Sequence, residues 1–403
     1  YRSLSERGPF MKAQYIKDGI GIYAATATIM SILIPVPVLA SIAQAFPEVP
    51  MTTVQLIAAI PSLLAIVANF VTAKLATRFT PRVRTIAACF FYVAAGLVGY
   101  FLHDNFAMLI VASCLAGFGM GGVQNSIASL ITNSFDGDAR GAAFGLCSVF
   151  VGLGGFVYVS MAAALGAEAW YNAYLGYFVV LVLIVLQLIF LPKGVLEEPT
   201  AKGEHVKIPR EVIFLCIFGF AYFGATQLFN NNISMFIAET GLGGTMEAGN
   251  ASQVYTLAGM VGGFLVFPIK RLFKNQTLAA NALISLIGCA CIVLTGSLVG
   301  VCIGAAFMAF GFAVYNPIES QLVSEASPAK GLAFNLALMA ATQSIGQATS
   351  PYWIGAAATP MGGGTTAMFY VGVIIFAVLM VVQFLYFNSL KKKAAASAEA
   401  PAA

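Results

Sequence analysis

Long apolar runs separated by short polar connections dominate the chain from Asp18 to Asn388. Each run suits a membrane-crossing helix, which needs roughly 20 residues. The first six predicted spans are Asp18–Phe46, Thr52–Ala76, Thr85–Leu102, Phe106–Thr132, Gly141–Leu165 and Trp170–Leu191. The second six are Glu211–Thr240, Ala248–Ile269, Gln276–Leu298, Val299–Glu325, Gly331–Ala358 and Thr366–Asn388. The longest polar connection, Pro192–Arg210, carries Lys193, Glu197, Glu198, Lys202, Glu204 and Lys207, and reads as a linker between halves. The expected fold is an all-α membrane protein with twelve transmembrane helices in two pseudo-symmetric six-helix bundles. These are residues 18–191 and 211–388, with a cytoplasmic N-terminal segment 1–17, the cytoplasmic linker 192–210 and a cytoplasmic tail 389–403. The polar stretch of that tail, Lys391–Ala403, reads as disordered.

Charge placement orients these spans. Threading alternate connections puts all 20 Lys and Arg on one side, while Glu48, Asp104, Glu168, Glu239 and Glu247 fall on the other. The positive-inside rule then places both termini in the cytoplasm. One missed or invented span would scatter the charges onto both faces, which supports the count of twelve. The net charge of +4 is mostly this topology signal and calls for no nucleic-acid partner. Composition agrees: 60% of residues are hydrophobic and 9% charged, the mean hydropathy is +0.88, and soluble domains carry about 25% charged residues. The chain's surroundings are therefore expected to be a lipid bilayer. The seven cysteines all lie in apolar runs without metal-ligand spacing and read as small hydrophobes. No cleavable signal pattern is read before the first span. The chain begins at Tyr1, so its natural start is expected upstream or at Met11.

The halves repeat. Ala139-Arg140-Gly141-Ala142-Ala143-Phe144-Gly145-Leu146 matches Ala329-Lys330-Gly331-Leu332-Ala333-Phe334-Asn335-Leu336 at an offset of 190. Gly117-Phe118 matches Gly311-Phe312 at 194, and Arg78 matches Arg271 at 193. Agreement in offset and topological position points to duplication, and duplicated bundles hold their ligand between halves near mid-membrane.

With this organisation the chain resembles the major facilitator superfamily over all twelve spans. The loop Ala73-Lys74-Leu75-Ala76-Thr77-Arg78-Phe79-Thr80-Pro81-Arg82-Val83-Arg84 is similar to that family's Gly-x-Leu-Ala-Asp-Arg-x-Gly-Arg-Lys signature. Ala73, Thr77 and Thr80 replace the first Gly, the Asp and the second Gly, while Arg78 and the basic tail are kept. The resemblance implies a cytoplasmic gate at Arg78, Arg82, Arg84 and Arg140. The Asp of the family's charge relay is absent, although Arg78 could still cap a helix C-terminus. The bland alternative is a positive-inside anchor. Subgroup motifs narrow the resemblance. Ser113 stands where drug:proton antiporters carry Arg before the run Gly117–Gly122, and Gly152-Leu153-Gly154-Gly155 lacks their Gly-Pro pair. The Glu-x-x-Glu-Arg of peptide porters and the Pro-Glu-Ser-Pro-Arg of sugar porters are absent. No basic residue lies at mid-span, which disfavours a small hard anion.

Candidate chemistry centres on Glu319, the one acidic residue well within a predicted span, with Asn316 on the same helical face and Pro317 between them. A carboxylate in hydrocarbon normally faces a protein interior or wet cavity and has a task there. Gln124 and Asn125 lie at the same depth in span four, and the 194 offset aligns Asn125 with Glu319. Gln227, Asn230 and Asn231 share one face of span seven. Amides both donate and accept, which suits a neutral polar or zwitterionic solute. The run Asn230–Asn232 also weakens that helix and makes its outer half a candidate extracellular gate. Span eleven offers Asn335, Gln343 and Gln347; span one offers Tyr23, Thr26, Thr28 and Ser31, followed by Pro35 and Pro37, which would bend it. The candidate solute-binding set is Tyr23, Thr26, Gln124, Asn125, Gln227, Asn230, Asn231, Asn316, Glu319 and Gln343. Glu319 is also the candidate for proton coupling or for pairing with a cationic group.

Each reading has a plainer rival. Interhelical amide bonds contribute about 0.6 kcal/mol each, and membrane hydroxyls usually bond their own backbone. Glu319 lies about 9 Å by helical rise from its span end, within reach of an ion pair with Lys330. Gly152, Gly154, Gly155, Gly259, Gly262 and Gly263 form small-residue faces for close helix approach, and the resemblance implies that they meet at the interface between halves.

Enzyme chemistry is not expected. His103 and His205 lie at span ends or loops, leaving no nucleophile–His pair or metal site. The Gly-rich runs lack the Lys-Ser/Thr ending of a phosphate loop, and no cofactor is expected. The reading is a secondary active transporter, of the symporter type if Glu319 couples protons. It would carry a small organic solute across the cytoplasmic membrane by alternating access, as a monomer. One alternative is an uncoupled facilitator or exporter of an amphipathic compound, its cavity lined from the 32 Phe and 14 Met. Another is a non-transporting ligand sensor on the same fold.

Overall fold

The computed structural model describes residues 9–135, 137–196, 208–328 and 332–399. Most of the expected linker, His205 included, and Lys330 lie outside these residues.

The first apolar run is broken. α1 (Pro9–Ala27) gives way to 3-10 turns at Ile29–Leu33 and Val36–Val38 before α2 (Leu39–Ala45). Pro35 and Pro37 lack the donors that a continuous helix needs, so the expected bend takes this form. After α3 (Met51–Val54) and α4 (Leu56–Leu75), α5 (Pro81–Phe101) starts four residues ahead of the expected Thr85. Pro81 sits in the first turn, where its missing N–H costs nothing. α6 (Phe106–Ser134) and α7 (Gly137–Gly166) follow the expected spans closely. The sixth run is a 3-10 segment, Trp170–Phe178, continued by α8 (Val179–Phe190).

In the second half, α9 (Arg210–Glu239) runs without interruption through Asn230–Asn232, where the amides of Asn231 and Asn232 find partners along the helix. α10 (Thr245–Phe273), α11 (Thr277–Leu294), α12 (Leu298–Ala326) and α13 (Leu332–Ala358) come next. α14 (Gly364–Glu399) continues through most of the tail read as disordered, since its Lys-Lys-Lys-Ala-Ala-Ala sequence consists of strong helix formers.

Among the described residues, ten helical segments are long and apolar enough to cross a bilayer. The expected spans eight and eleven fall on α10 and α13, which are not in that set. Both are 27 residues or longer. Their Gly, Ser, Thr, Asn and Gln content sets them apart from the more apolar helices.

The chain forms two compact units. The first holds the chain up to Lys202 together with Ile233–Ala238 and Gly243–Gln253; the second holds Gly203–Asn232, Glu239–Leu242 and Val254–Ala403. Within the first unit, α6 packs against α4 and α5 through its glycine run. A Cβ on Gly121 would lie 2.2 Å from the Ala65 carbonyl oxygen. A Cβ on Gly122 would lie 2.7 Å from that of Ala88. The broken turn at Val36–Val38 exposes backbone groups that one side chain satisfies. Ser234 Oγ donates to the Pro37 carbonyl at 2.7 Å and accepts from Ala40 N–H at 3.2 Å.

Of the small-residue positions, Gly154 abuts the Ala27 carbonyl oxygen, 2.1 Å from an added Cβ, and Gly262 approaches Phe310 of α12. Gly263 faces open space. Overpacking costs about 1–3 kcal/mol, whereas Gly→Ala in a helix gains up to about 1 kcal/mol where space allows. Gly154→Ala should therefore lower the melting temperature in detergent micelles, and Gly263→Ala should leave it unchanged or raise it. Equal behaviour of the two variants would contradict the packing assigned to Gly154.

Candidate functional site

Glu319 is fully buried on α12, within the second unit. One turn earlier, Tyr315 stacks on Tyr222 of α9, with ring centroids 3.7 Å apart and planes at 8°. Tyr222 Oη shares a 2.7 Å hydrogen bond with Ser285 Oγ of α11. Gln383 of α14 donates to Tyr315 Oη, also at 2.7 Å. These contacts tie four helices together directly beside the carboxylate, so its backbone position is fixed by packing.

The two carboxylate oxygens differ. Oε2 accepts from Gln343 Nε2 at 2.8 Å, and the same amide reaches toward Asn316 Oδ1 at 3.5 Å. Oε1 is buried with no hydrogen-bond partner among the described residues. It lies against Gly219 of α9, where an added Cβ would be 2.2 Å away. Among the described residues no Lys or Arg pairs with Glu319, and the expected rival partner Lys330 is outside them. Leaving a buried acceptor unsatisfied costs roughly 1–3 kcal/mol, and more when it is charged. The site therefore holds a buried acid without a counter-ion among the described residues.

Further along α9 and α13, Gln227 Nε2 donates to Asn231 Oδ1 at 3.3 Å, and Asn231 Nδ2 donates to Ser350 Oγ at 3.0 Å. On α13, Gln343, Gly346, Ser350 and Trp353 recur every three to four residues, which puts them on one face. Gly346 lets the helices touch, since a Cβ there would lie 2.3 Å from the Phe220 carbonyl oxygen. Trp353 stacks over Phe220 at 6.0 Å, and its Nε1 is buried without a partner among the described residues. Asn230 is half-buried and Asn316 is exposed.

The first-unit candidates separate. Tyr23 stacks on Phe150 at 5.0 Å. Thr26 is buried and donates to the Ile22 carbonyl at 2.8 Å, the backbone bonding weighed as the plain alternative. Gln124 is exposed. Asn125 accepts from Arg84 Nη1 at 3.2 Å, and Arg84 Nη1 also lies 3.3 Å from the Thr72 carbonyl oxygen. Arg84 is only 5% exposed. Starting α5 at Pro81 draws Arg84 from the loop into the first turn of the helix, near its end rather than at mid-span. Arg78 is exposed, Arg82 Nη2 donates to the Leu188 carbonyl, and the side chain of Arg140 lies outside the described residues.

Sequence reasoning missed Gly219, Tyr222, Tyr315, Ser350 and Gln383. Gln383 carried a usable signal, a lone amide in an otherwise apolar run. The tyrosines counted as apolar, and nothing local marks Gly219 as the neighbour of a residue 100 positions away.

The sequence family described as Major Facilitator Superfamily matches residues 19–303, more than half of the chain. Among solved structures, the chain is similar to a bacterial homologue of the human lysosomal transporter Spinster, in an inward-facing and unoccupied conformation. The TM-score is 0.71 at 15% identity, covering 96% of this chain and 98% of that one. It is also similar to the POT family transporter PepTSo, with a TM-score of 0.70 at 12% identity, covering 96% and 99%. At such identities the likeness speaks for the fold. No curated protein matches the sequence. The chain belongs to the major facilitator superfamily, and is a multi-pass membrane protein of a family of transporters rather than enzymes.

Proposed function

We propose that the chain is a proton-coupled secondary transporter that moves a small organic solute by alternating access. In this reading it has twelve spans in two six-helix bundles, residues 18–191 and 211–388. It acts as a monomer in the cytoplasmic membrane with both termini inside. The observation that carries the proposal is the buried acid Glu319, without a counter-ion among the described residues.

Two partners could balance its charge when ionised, a proton or a cationic group of the solute. Oε1 is buried beside Gly219, and Oε2 is engaged by Gln343. With both oxygens enclosed, a proton, the smallest cation, is the favoured partner, which supports coupling over cation recognition. The polar row Gln227, Asn231 and Ser350, and the amides of Asn316 and Gln343 at the carboxylate, supply donors and acceptors without charge. This supports a neutral polar or zwitterionic solute.

A second reading has its own support. An apolar cavity of about 360 Å³ in the first unit is lined by Tyr23, Phe150, Leu153 and Tyr158. Such a wall suits an amphipathic compound carried without coupling. Flux of amphipathic solutes that ignores an imposed pH gradient would select this reading.

In proteoliposomes given a panel of neutral, zwitterionic, cationic and amphipathic solutes, Glu319→Gln should abolish accumulation driven by a pH gradient while sparing solute exchange. Full gradient-driven accumulation by that variant would sink the coupling role. Gly219→Ala should reduce accumulation about tenfold with little change in the solute KM, since its methyl group displaces the carboxyl. Ser350→Ala removes one hydrogen bond of the amide row, about 0.5–1.5 kcal/mol. It should raise the solute KM roughly two- to twelvefold while leaving the accumulation ratio per proton unchanged.

A further inference from the structure

The second unit contains a cavity of about 1300 Å³ that the transport reading does not use. Its rim is charged. Lys270 and Arg271 come from the last turn of α10, and Lys274 from the 3-10 turn that follows. Lys274 is held at φ 50°, in the left-handed region that non-glycine residues rarely adopt, and all three cations line the one cavity. The opposing rim residue is Glu325, near the end of α12. Its carboxylate accepts from Gln321 Nε2 at 2.7 Å, and Gln321 Oε1 in turn accepts from Lys270 Nζ. Among the described residues none of the three cations is in an ion pair. Three cations facing one acid leave a surplus of two positive charges.

Below the rim the lining is apolar, with Ile318 and Leu322 of α12 and Phe387 of α14. Ile318 lies seven residues before Glu325, about 10 Å deeper by helical rise. A cationic rim at the ends of membrane helices over an apolar throat matches an anionic headgroup joined to a hydrocarbon chain. The volume also exceeds the roughly 300–1,000 Å³ of ordinary small-molecule pockets. A free phosphate would use the rim and leave the throat empty.

We propose that this cavity binds an anionic phospholipid, with its phosphate at Arg271 and Lys274 and an acyl chain along Ile318, Leu322 and Phe387. The test is native mass spectrometry of the purified full chain, titrated with phosphatidylglycerol and with phosphatidylcholine of the same acyl chains. Phosphatidylglycerol should bind more tightly. The preference should fall about fivefold for each rim charge removed, and so about 25-fold in Arg271→Gln/Lys274→Gln. Lys17→Gln/Lys193→Gln, the same charge loss elsewhere, should keep the preference. Should the rim double variant prove unstable, Lys274→Gln alone carries the test with a fivefold loss. Equal binding of the two lipids, or an unchanged preference in the rim variant, overturns the proposal. So does displacement of the lipid by soluble glycerol phosphate at equal concentration, which would reduce the site to a rim for free anions.

Discussion

Inside a bilayer no water satisfies a polar group, so each donor, acceptor or charge must find its partner within the protein. That constraint explains much of the local detail of this chain. Where Pro35 and Pro37 break the first run, Ser234 supplies both the donor for the Pro37 carbonyl and the acceptor for Ala40 N–H. Where Asn231 enters α9, Gln227 and Ser350 meet it. Where tyrosines are fully buried beside Glu319, Ser285 and Gln383 hold their hydroxyls. Other buried polar atoms also lack a partner among the described residues, Trp353 Nε1 and the hydroxyls of Tyr158 and Tyr174 with them, but Glu319 Oε1 is the one carboxylate oxygen of that set. Exceptions of this kind in membrane helices mark function more often than error of design.

The halves treat one aligned position in opposite ways. Asn125 and Glu319 are 194 residues apart, the offset that also aligns Gly117 with Gly311. In the first unit the amide receives a guanidinium, Arg84. In the second unit the carboxylate receives an amide, Gln343. Each bonds across helices of its own unit. The guanidinium keeps its charge at any physiological pH, whereas the carboxyl can gain or lose a proton.

Much of the architecture was legible from the sequence. The apolar runs mark the long helices, and an acid inside a run of Val, Phe and Ala residues identifies the centre of the candidate site. What escaped depended on contacts between distant residues or on small shifts of boundary. Starting α5 at Pro81 rather than Thr85 moves Arg84 by about one turn, enough to take its charge from loop to interior. The tyrosine platform was invisible because hydropathy scores Tyr by its ring, and its hydroxyl shows its worth only against Ser285 or Gln383. Gly219 had no local signal, since its role is to leave room for a side chain on another helix. The helical tail was misjudged from charge alone, although Ala and Lys favour a helix even without a packing face.

The geometry around Glu319 also indicates how a proton there could be felt elsewhere. On its N-terminal side, α12 is clamped by the stack of Tyr315 on Tyr222. Between clamp and carboxylate lies Pro317, which cannot donate to the carbonyl four residues back and so weakens the helix at that turn. On the far side, Gln343 is the tie from the carboxylate to α13. A hydrogen bond to a charged acceptor is roughly twice as strong as one to a neutral acceptor. Under the proposed mechanism, adding a proton therefore loosens the tie between α12 and α13 at the point where α12 is easiest to bend. The clamp keeps the rest of α12 in place, so the change is directed into the segment from Glu319 to Ala326 rather than spread along the helix.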